Sequence, residues 1–247
     1  MKMIQISDLH LSEDNDYQVF DVNTYKCAQK IVHHISEYET DADCLIISGD
    51  ISNDESAASY KHLMEIIKDL TIKVYLMPGN HDSIEKLKSC TSHDLINSTL
   101  YFEKDEWITF MLNTKKDGSP NGFLKTDELT ILKEKIRQNQ DKYFMVFMHH
   151  HPVLIGSDSM DKMVIENADL LLDVIKNESK IRGVSWGHVH NVFETQLNKA
   201  KLFSTPSTCF QSKPKSKTFI IDKNEKPGYR RIELRNNGEL RTSVARI

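Results

Sequence analysis

No stretch of this 247-residue chain holds the roughly 18 consecutive apolar residues that a membrane-spanning helix requires. The opening Met1-Lys2-Met3-Ile4-Gln5-Ile6-Ser7 also lacks the long apolar segment of a secretory signal, so a cytoplasmic chain is expected. Cysteine is sparse. Cys27, Cys44, Cys90 and Cys209 lie far apart and form no Cys-x-x-Cys pair, which argues against a zinc knot and against a disulfide framework. Excess positive charge is absent too. With 32 Lys and Arg against 36 Asp and Glu, the formal charge is 32 − 36 = −4, a poor match to the basic face that nucleic acids demand. A small anionic substrate stays open, because metal ions can supply positive charge. There is no Gly-x-Ser-x-Gly elbow and no Cys-His pattern to support covalent catalysis. Internal repeats, low-complexity tracts and an interdomain linker are missing as well, and a single domain over residues 1–247 is expected.

What is present is alternation. Met3-Ile4-Gln5-Ile6 reads as a strand, Ala28, Ile31, Val32 and Ile35 recur at helical spacing, and Cys44-Leu45-Ile46-Ile47 is a second apolar run. Tyr60, Leu63, Met64 and Ile67 mark a second amphipathic helix before a third strand at residues 74–77. Strand–helix–strand–helix–strand with short turns predicts parallel pairing. Residues 99–102 and 107–112 are neighbouring strands with no helix between them, which predicts antiparallel pairing in a second sheet. A helix starts at Thr126-Asp127-Glu128, with Thr126 read as its cap, and continues through Leu129, Leu132 and Ile136. A strand at 143–148, a helix through Leu170, Leu171, Val174 and Ile175, and a strand at 181–186 follow. The last ~45 residues read as strands that complete or edge the second sheet, with a hairpin at Asn237-Gly238.

Five of these strands end in metal- or phosphate-competent side chains. They lead into Asp8-x-His10, Gly49-Asp50, Gly79-Asn80-His81-Asp82, His149-His150-His151 and Gly187-His188-x-His190. Open α/β sheets gather ligands along that edge. Imidazoles, carboxylates and an amide without thiolate suit Mn, Fe or Zn. Seven such groups exceed the needs of one ion with an open position. They are enough for two ions sharing a carboxylate, the usual clamp for displacement at phosphorus. One Gly-Asp after a strand is more often a turn than a ligand, and His149, His150 and His151 cannot all face one site if strand alternation holds. His33, His34, His62 and His93 sit in helical or loop contexts and read as solvated.

Together, in this order and spacing, these motifs resemble those of the calcineurin-like metallophosphoesterases over residues 7–190. The resemblance implies an α/β protein, a four-layer α/β/β/α sandwich with two mixed sheets and a dinuclear metal site. By that analogy Asp8, His10, Asp50 and His190 hold one metal, and Asp50, Asn80, His149 and His188 the other, with Fe and Mn implied and Mn/Mn or Zn as alternatives. His81 and Asn80 take catalytic roles, and Asn80, His81 and His188 face the substrate. Val22-Asn23-Thr24, His149-His150-His151-Pro152, Ser204-Thr205-Pro206-Ser207-Thr208-Cys209-x-Gln211-x-Lys213-Pro214 and Pro227-Gly228-Tyr229-Arg230 are similar to bacterial class III cyclic nucleotide phosphodiesterases. That narrower likeness implies hydrolysis of 3',5'-cyclic AMP by water that two metals acidify; the alternatives are another phosphodiesterase or nucleotidase of the superfamily, acting on 2',3'-cyclic nucleotides or a nucleotide-sugar pyrophosphate, and a non-catalytic binding scaffold. A monomer or homodimer with no nucleic-acid or membrane partner is expected. The loop at 156–161, Gly-Ser-Asp-Ser-Met-Asp, carries no large aromatic.

Overall fold

A strand that is apolar on both faces must be covered on both, and Cys44–Ser48 is buried at every position. The computed structural model describes residues 1–90 and 95–247, so His93 lies outside the described residues. The chain begins with β1 (Lys2–Ile6), a hairpin of β2 (Gln18–Val19) and β3 (Val22–Asn23), α1 (Thr24–Tyr38) and β4 (Cys44–Ser48). Then come α2 (Ala57–Ile67), β5 (Lys73–Met77), α3 (Ile84–Ser89), β6 (Ile96–Asn97), β7 (Tyr101–Lys104) and β8 (Trp107–Met111). The second half holds α4 (Thr126–Gln138), β9 (Tyr143–Phe147), α5 (Asp169–Asn177), β10 (Ile181–Trp186), β11 (Glu194–Leu197), β12 (Ala200–Ser204), β13 (Gly228–Leu234) and β14 (Leu240–Arg246).

Two six-stranded mixed sheets result, in the orders β14-β13-β1-β4-β5-β6 and β11-β12-β10-β9-β8-β7. Their layering follows from the two-residue period of a strand. Leu45 and Ile47 of β4 face Ile31, Val32 and Ile35 of α1 and Leu63 and Ile67 of α2. The alternate residues Cys44 and Ile46 face inward, where they meet Trp107, Met145, Phe147 and Phe203 of the other sheet. On its outer face the second sheet packs Phe110, Phe144 and Val184 against Leu129 and Leu132 of α4 and Leu171 and Ile175 of α5. The order is therefore α/β/β/α, as the motifs implied.

The C-terminal strands depart from expectation. β13 and β14 complete the first sheet, with β13 antiparallel to β1, rather than the second. The second sheet has no vacancy beside β10, because β12 pairs with it in parallel, whereas β1 would otherwise be an open edge. β13 also suits both faces there: Tyr229 joins the helix-side core, and Ile232 and Leu234 the layer between the sheets. Smaller corrections follow from local geometry. Thr126 is the first helical residue, not the cap; that place is held by Lys125, which makes no side-chain capping bond. His34 and His62 are half-buried rather than solvated, with Nδ1 atoms 3.2 Å from the Tyr229 hydroxyl and 3.0 Å from the Ser12 carbonyl.

One side chain ties the loops at the carboxyl ends of β4 and β5 together. The buried Asp82 carboxylate accepts the N–H groups of Gly79 (2.8 Å), Ile51 (3.2 Å) and Ser52 (2.9 Å), and the hydroxyl of Tyr60 in α2 (3.1 Å). Leaving these donors buried without an acceptor costs about 1–3 kcal/mol each. Asp82→Ala is therefore expected to lose about 3 kcal/mol or more of unfolding free energy in urea titrations, and a loss within error of zero would show that water replaces the carboxylate.

Candidate metal centre

β1, β4 and β5 of one sheet and β9 and β10 of the other deliver their carboxyl ends to one seam. The loops are laced by backbone bonds: Asp8 N–H to the Gly49 carbonyl and His10 N–H to the Asp50 carbonyl, both 3.0 Å, and Gly187 N–H to the His149 carbonyl, 3.1 Å. Such close approach leaves no room for a side chain at two glycines. A Cβ on Gly79 would lie 2.1 Å from Asp50 Oδ1, and one on Gly49, whose φ is +95°, 2.4 Å from His149 Nδ1.

Asp8, His10, Asp50, Asn80, His149 and His190 are brought together, and their donor atoms converge. His190 Nε2 lies 3.4 Å from Asp8 Oδ1 and 3.2 Å from His10 Nε2. His149 Nε2 lies 3.3 Å from Asp50 Oδ2 and 3.2 Å from Asn80 Oδ1, and His10 Nε2 lies 3.9 Å from Asp50 Oδ2. Neighbouring ligands about 2.1 Å from one cation sit about 3 Å apart, so the spacings of 3.2–3.4 Å suit donors that could hold a metal ion. Asp8, His10 and His190 form one cluster and Asp8, Asp50 and His149 another. Among the described residues the buried Nε2 of His188 has no hydrogen-bond partner, nor has Nε2 of His150 or either ring nitrogen of His151. The His188 ring is 5.1 Å from that of His149.

Two of the imidazoles are oriented from behind, as metal ligands usually are. His149 Nδ1 donates to the Ser48 carbonyl at 2.8 Å and His190 Nδ1 to the Phe210 carbonyl at 3.1 Å, which turns each Nε2 inward. Asp8 accepts the His188 N–H at both oxygens (3.1 and 3.0 Å), and Asp50 Oδ1 accepts the His81 N–H at 2.9 Å. His81 itself is exposed, with its ring edge-on to His10 at 5.0 Å.

Strand alternation fails at the three histidines. β9 ends at Phe147, so His149, His150 and His151 lie beyond the pleat. His149, His150 and His188 offer nitrogens within 4.8 Å of one another, and the His151 ring stacks on that of His188 at 5.7 Å. His149 faces Asp50 and Asn80, whereas His150 Nδ1 pairs with the Thr114 hydroxyl at 2.8 Å.

Charge balance explains the titration behaviour. Burial disfavours charge on His149, but Asp50, with Asp8 and the Ser48 carbonyl, holds it up at about 9. Burial likewise opposes charge on His190, and Asp8 beside it raises it nonetheless. Asp50 is held well below the usual carboxylate range: burial works against this, and His149 and His10 overcome it. Burial pushes His10 down to about 4 despite Asp50, so it keeps its lone pair.

Several residues support the cluster from outside it, and of these Lys115 carries no motif that would reveal it. Lys115 Nζ donates to the Asn80 carbonyl at 3.0 Å. The Asp8 carbonyl accepts bonds from the Ser207 and Thr208 hydroxyls and the Cys209 thiol at 2.9, 3.3 and 3.2 Å. The polar run Ser204-Thr205-Pro206-Ser207-Thr208 was visible in the sequence; its burial against Asp8 was not.

The pattern that describes calcineurin-like phosphoesterases matches residues 1–192. The 3',5'-cyclic adenosine monophosphate phosphodiesterase CpdA of Vibrio vulnificus is 31% identical over 248 residues, covering 100% of this chain and 90% of that protein. The protein of the same name from Pseudomonas aeruginosa is 30% identical, covering 99% and 89%. Among solved structures, a dimetal phosphatase from Danio rerio superposes with a TM-score of 0.68 at 14% identity, covering 94% of each chain. That last likeness concerns the fold alone.

Protons on His149 and His190 stand where cations would balance Asp50 and Asp8, so metal loading must displace them. Below about 9 the His149 proton is present, and loading at pH 7 is expected to release roughly one proton from His149. As pH rises through about 9 the release vanishes. Calorimetry of the chelated protein in buffers of different ionisation enthalpy measures this; heats independent of the buffer at pH 7 would contradict it.

Proposed function

The chain belongs to the calcineurin-like phosphoesterase family, and we propose that it hydrolyses 3',5'-cyclic AMP to 5'-AMP with two cations bound at the seam. One observation carries the reading: donor atoms from both sheets converge on Asp50, in a chain similar over its whole length to proteins named as cyclic AMP phosphodiesterases. By the family resemblance Asp8, His10, Asp50 and His190 would hold one ion and Asp50, Asn80, His149 and His188 the other; the nitrogen–oxygen donor set suits Fe and Mn, and also Mn/Mn or Zn. Bound there, the ions supply charge neutralisation at phosphorus and acidify water near neutral pH.

The chain's own residues do the rest. Asn80, half-buried with Oδ1 turned toward His149, offers its amide N–H groups to a non-bridging phosphate oxygen. Lys115 and Asp82 fix the turn that carries it. His81 is the exposed imidazole of the cluster, and its backbone is pinned to Asp50. It meets the substrate phosphate and gives a proton to the departing ribose 3'-oxygen, a role that contributes about 10²–10⁴-fold. His188 borders the same space.

Cytoplasmic placement belongs to this reading, since among the described residues the four cysteines form no disulfide and three are buried. Among the described residues no helix is long and apolar enough to cross a membrane.

Asp50→Ala is expected to lose both metals and nearly all activity. His81→Ala is expected to keep both metals and lose about 10²–10⁴-fold in kcat. Metal analysis beside rates on 3',5'-cyclic AMP, 2',3'-cyclic AMP and bis-p-nitrophenyl phosphate checks these roles. Turnover of the last two alone would retain the metal centre and remove cyclic AMP as substrate.

A further inference from the structure

Three phenylalanine rings lead outward from the histidines of the ligand cluster. The Phe210 ring is buried and stacks on His190 at 4.5 Å and on His10 at 5.5 Å. Phe20 meets it edge-on at 5.1 Å and Phe219 at 6.4 Å; those two rings are 5.9 Å apart. Phe219 also stands edge-on to His190 at 6.1 Å. Yet Phe20 is 55% and Phe219 37% exposed. Large aromatics left in water beside a polar centre mark a place where something apolar docks.

Both exposed rings are held in place by devices that burial alone does not require. Phe20 and Asp21 form the two-residue turn between β2 and β3, with φ of 52° and 64°. That turn type favours Asn-Gly, and a phenylalanine in the left-handed region is strained. Phe219 sits on a loop closed by a bridge between Ser212 and Ile221 and by a bond from Lys213 N–H to the Ile220 carbonyl at 2.8 Å. The loop is tied in turn to the aromatic-free segment at 156–161, since the Ser216 carbonyl accepts from Asp158 N–H and the Ser157 hydroxyl, both at 3.2 Å. Lys213, Lys215 and Lys217 are exposed on this loop, a local positive patch in a chain of net charge −4.

Resting on the cyclic nucleotide reading above, we propose that Phe20 and Phe219, backed by the buried Phe210, form the wall on which the purine base stacks while its phosphate lies at the Asp50 cluster. Its neighbours suit this: an aromatic face for the base, lysines that attract an anion, and the ligand cluster one ring away. Stacking is tolerant of base identity, so the wall gives affinity for a nucleoside without separating adenine from guanine.

The test compares binding of 5'-AMP with binding of ribose 5-phosphate, which lacks the base, to the metal-loaded protein by calorimetry. Phe219→Ala and Phe20→Gly are each expected to weaken 5'-AMP about tenfold, with a change of about twofold at most for ribose 5-phosphate. Phe219→Tyr is expected to restore 5'-AMP affinity, because the ring returns. Equal losses for both ligands, no loss for either, or 5'-AMP binding no tighter than ribose 5-phosphate to the unaltered protein would overturn the wall. Failure of the unaltered protein to hydrolyse cyclic AMP while it cleaves bis-p-nitrophenyl phosphate is a separate result: it removes the cyclic nucleotide reading, and the wall with it.

Discussion

Two carboxylates, Asp8 and Asp50, are buried at the seam between the sheets, and everything around them answers to that charge. An isolated carboxylate cannot stay ionised out of water, so cationic partners must be present. Here the partners are imidazoles. His149 and His190 are driven toward the protonated form by the two acids, while His10 and His188 are kept neutral by burial among other histidines. A centre with two negative charges and neutral imidazole lone pairs is one able to hold metal ions.

Backbone strain tells the same story. Asp8, His10, Asp50, His188 and His190 all have φ between 48° and 65°. Left-handed conformations in non-glycine residues cost of order 1–3 kcal/mol each and survive where surrounding structure fixes them. The fixing groups can be named: Ser207, Thr208 and Cys209 on the Asp8 carbonyl, Asp82 under the adjoining turns, and the amide of His188 between both Asp8 oxygens. Because these supports come from the far end of the chain as well as the near end, the centre is as long-range a construction as the sheets themselves.

Attachment of β13 to β1 shows how the last segment serves the site without lining it. Arg230, buried on β13, donates to the Ser204 carbonyl at 2.8 Å and to Glu194 at 2.7 Å, and so joins the first sheet to β12 and β11 of the second. The loop between Ser204 and β13 runs under Asp8 and past His190, and it carries Phe210 and Phe219. Closing the sheet thus also delivers the aromatic side of the opening.

The sequence by itself determined the alternating architecture and the convergence of Asp8, His10, Asp50, Asn80, His149 and His190, because hydrophobic period and strand-end motifs are local properties. It also placed the Asn237-Gly238 hairpin, where Gly238 takes φ of 79°. Only the tertiary structure decided which sheet β13 joins, since two open edges look alike until one is occupied. Nor could local pattern show that His150 and His151 crowd His188, because the rule of alternating faces lapses once the strand has ended. Asp82 stood among the strand-end candidates, and only the fold shows that its carboxylate is taken up by the N–H groups of Gly79, Ile51 and Ser52; Lys115 and the aromatic trio Phe20, Phe210 and Phe219 stayed hidden because their partners lie far away in the chain.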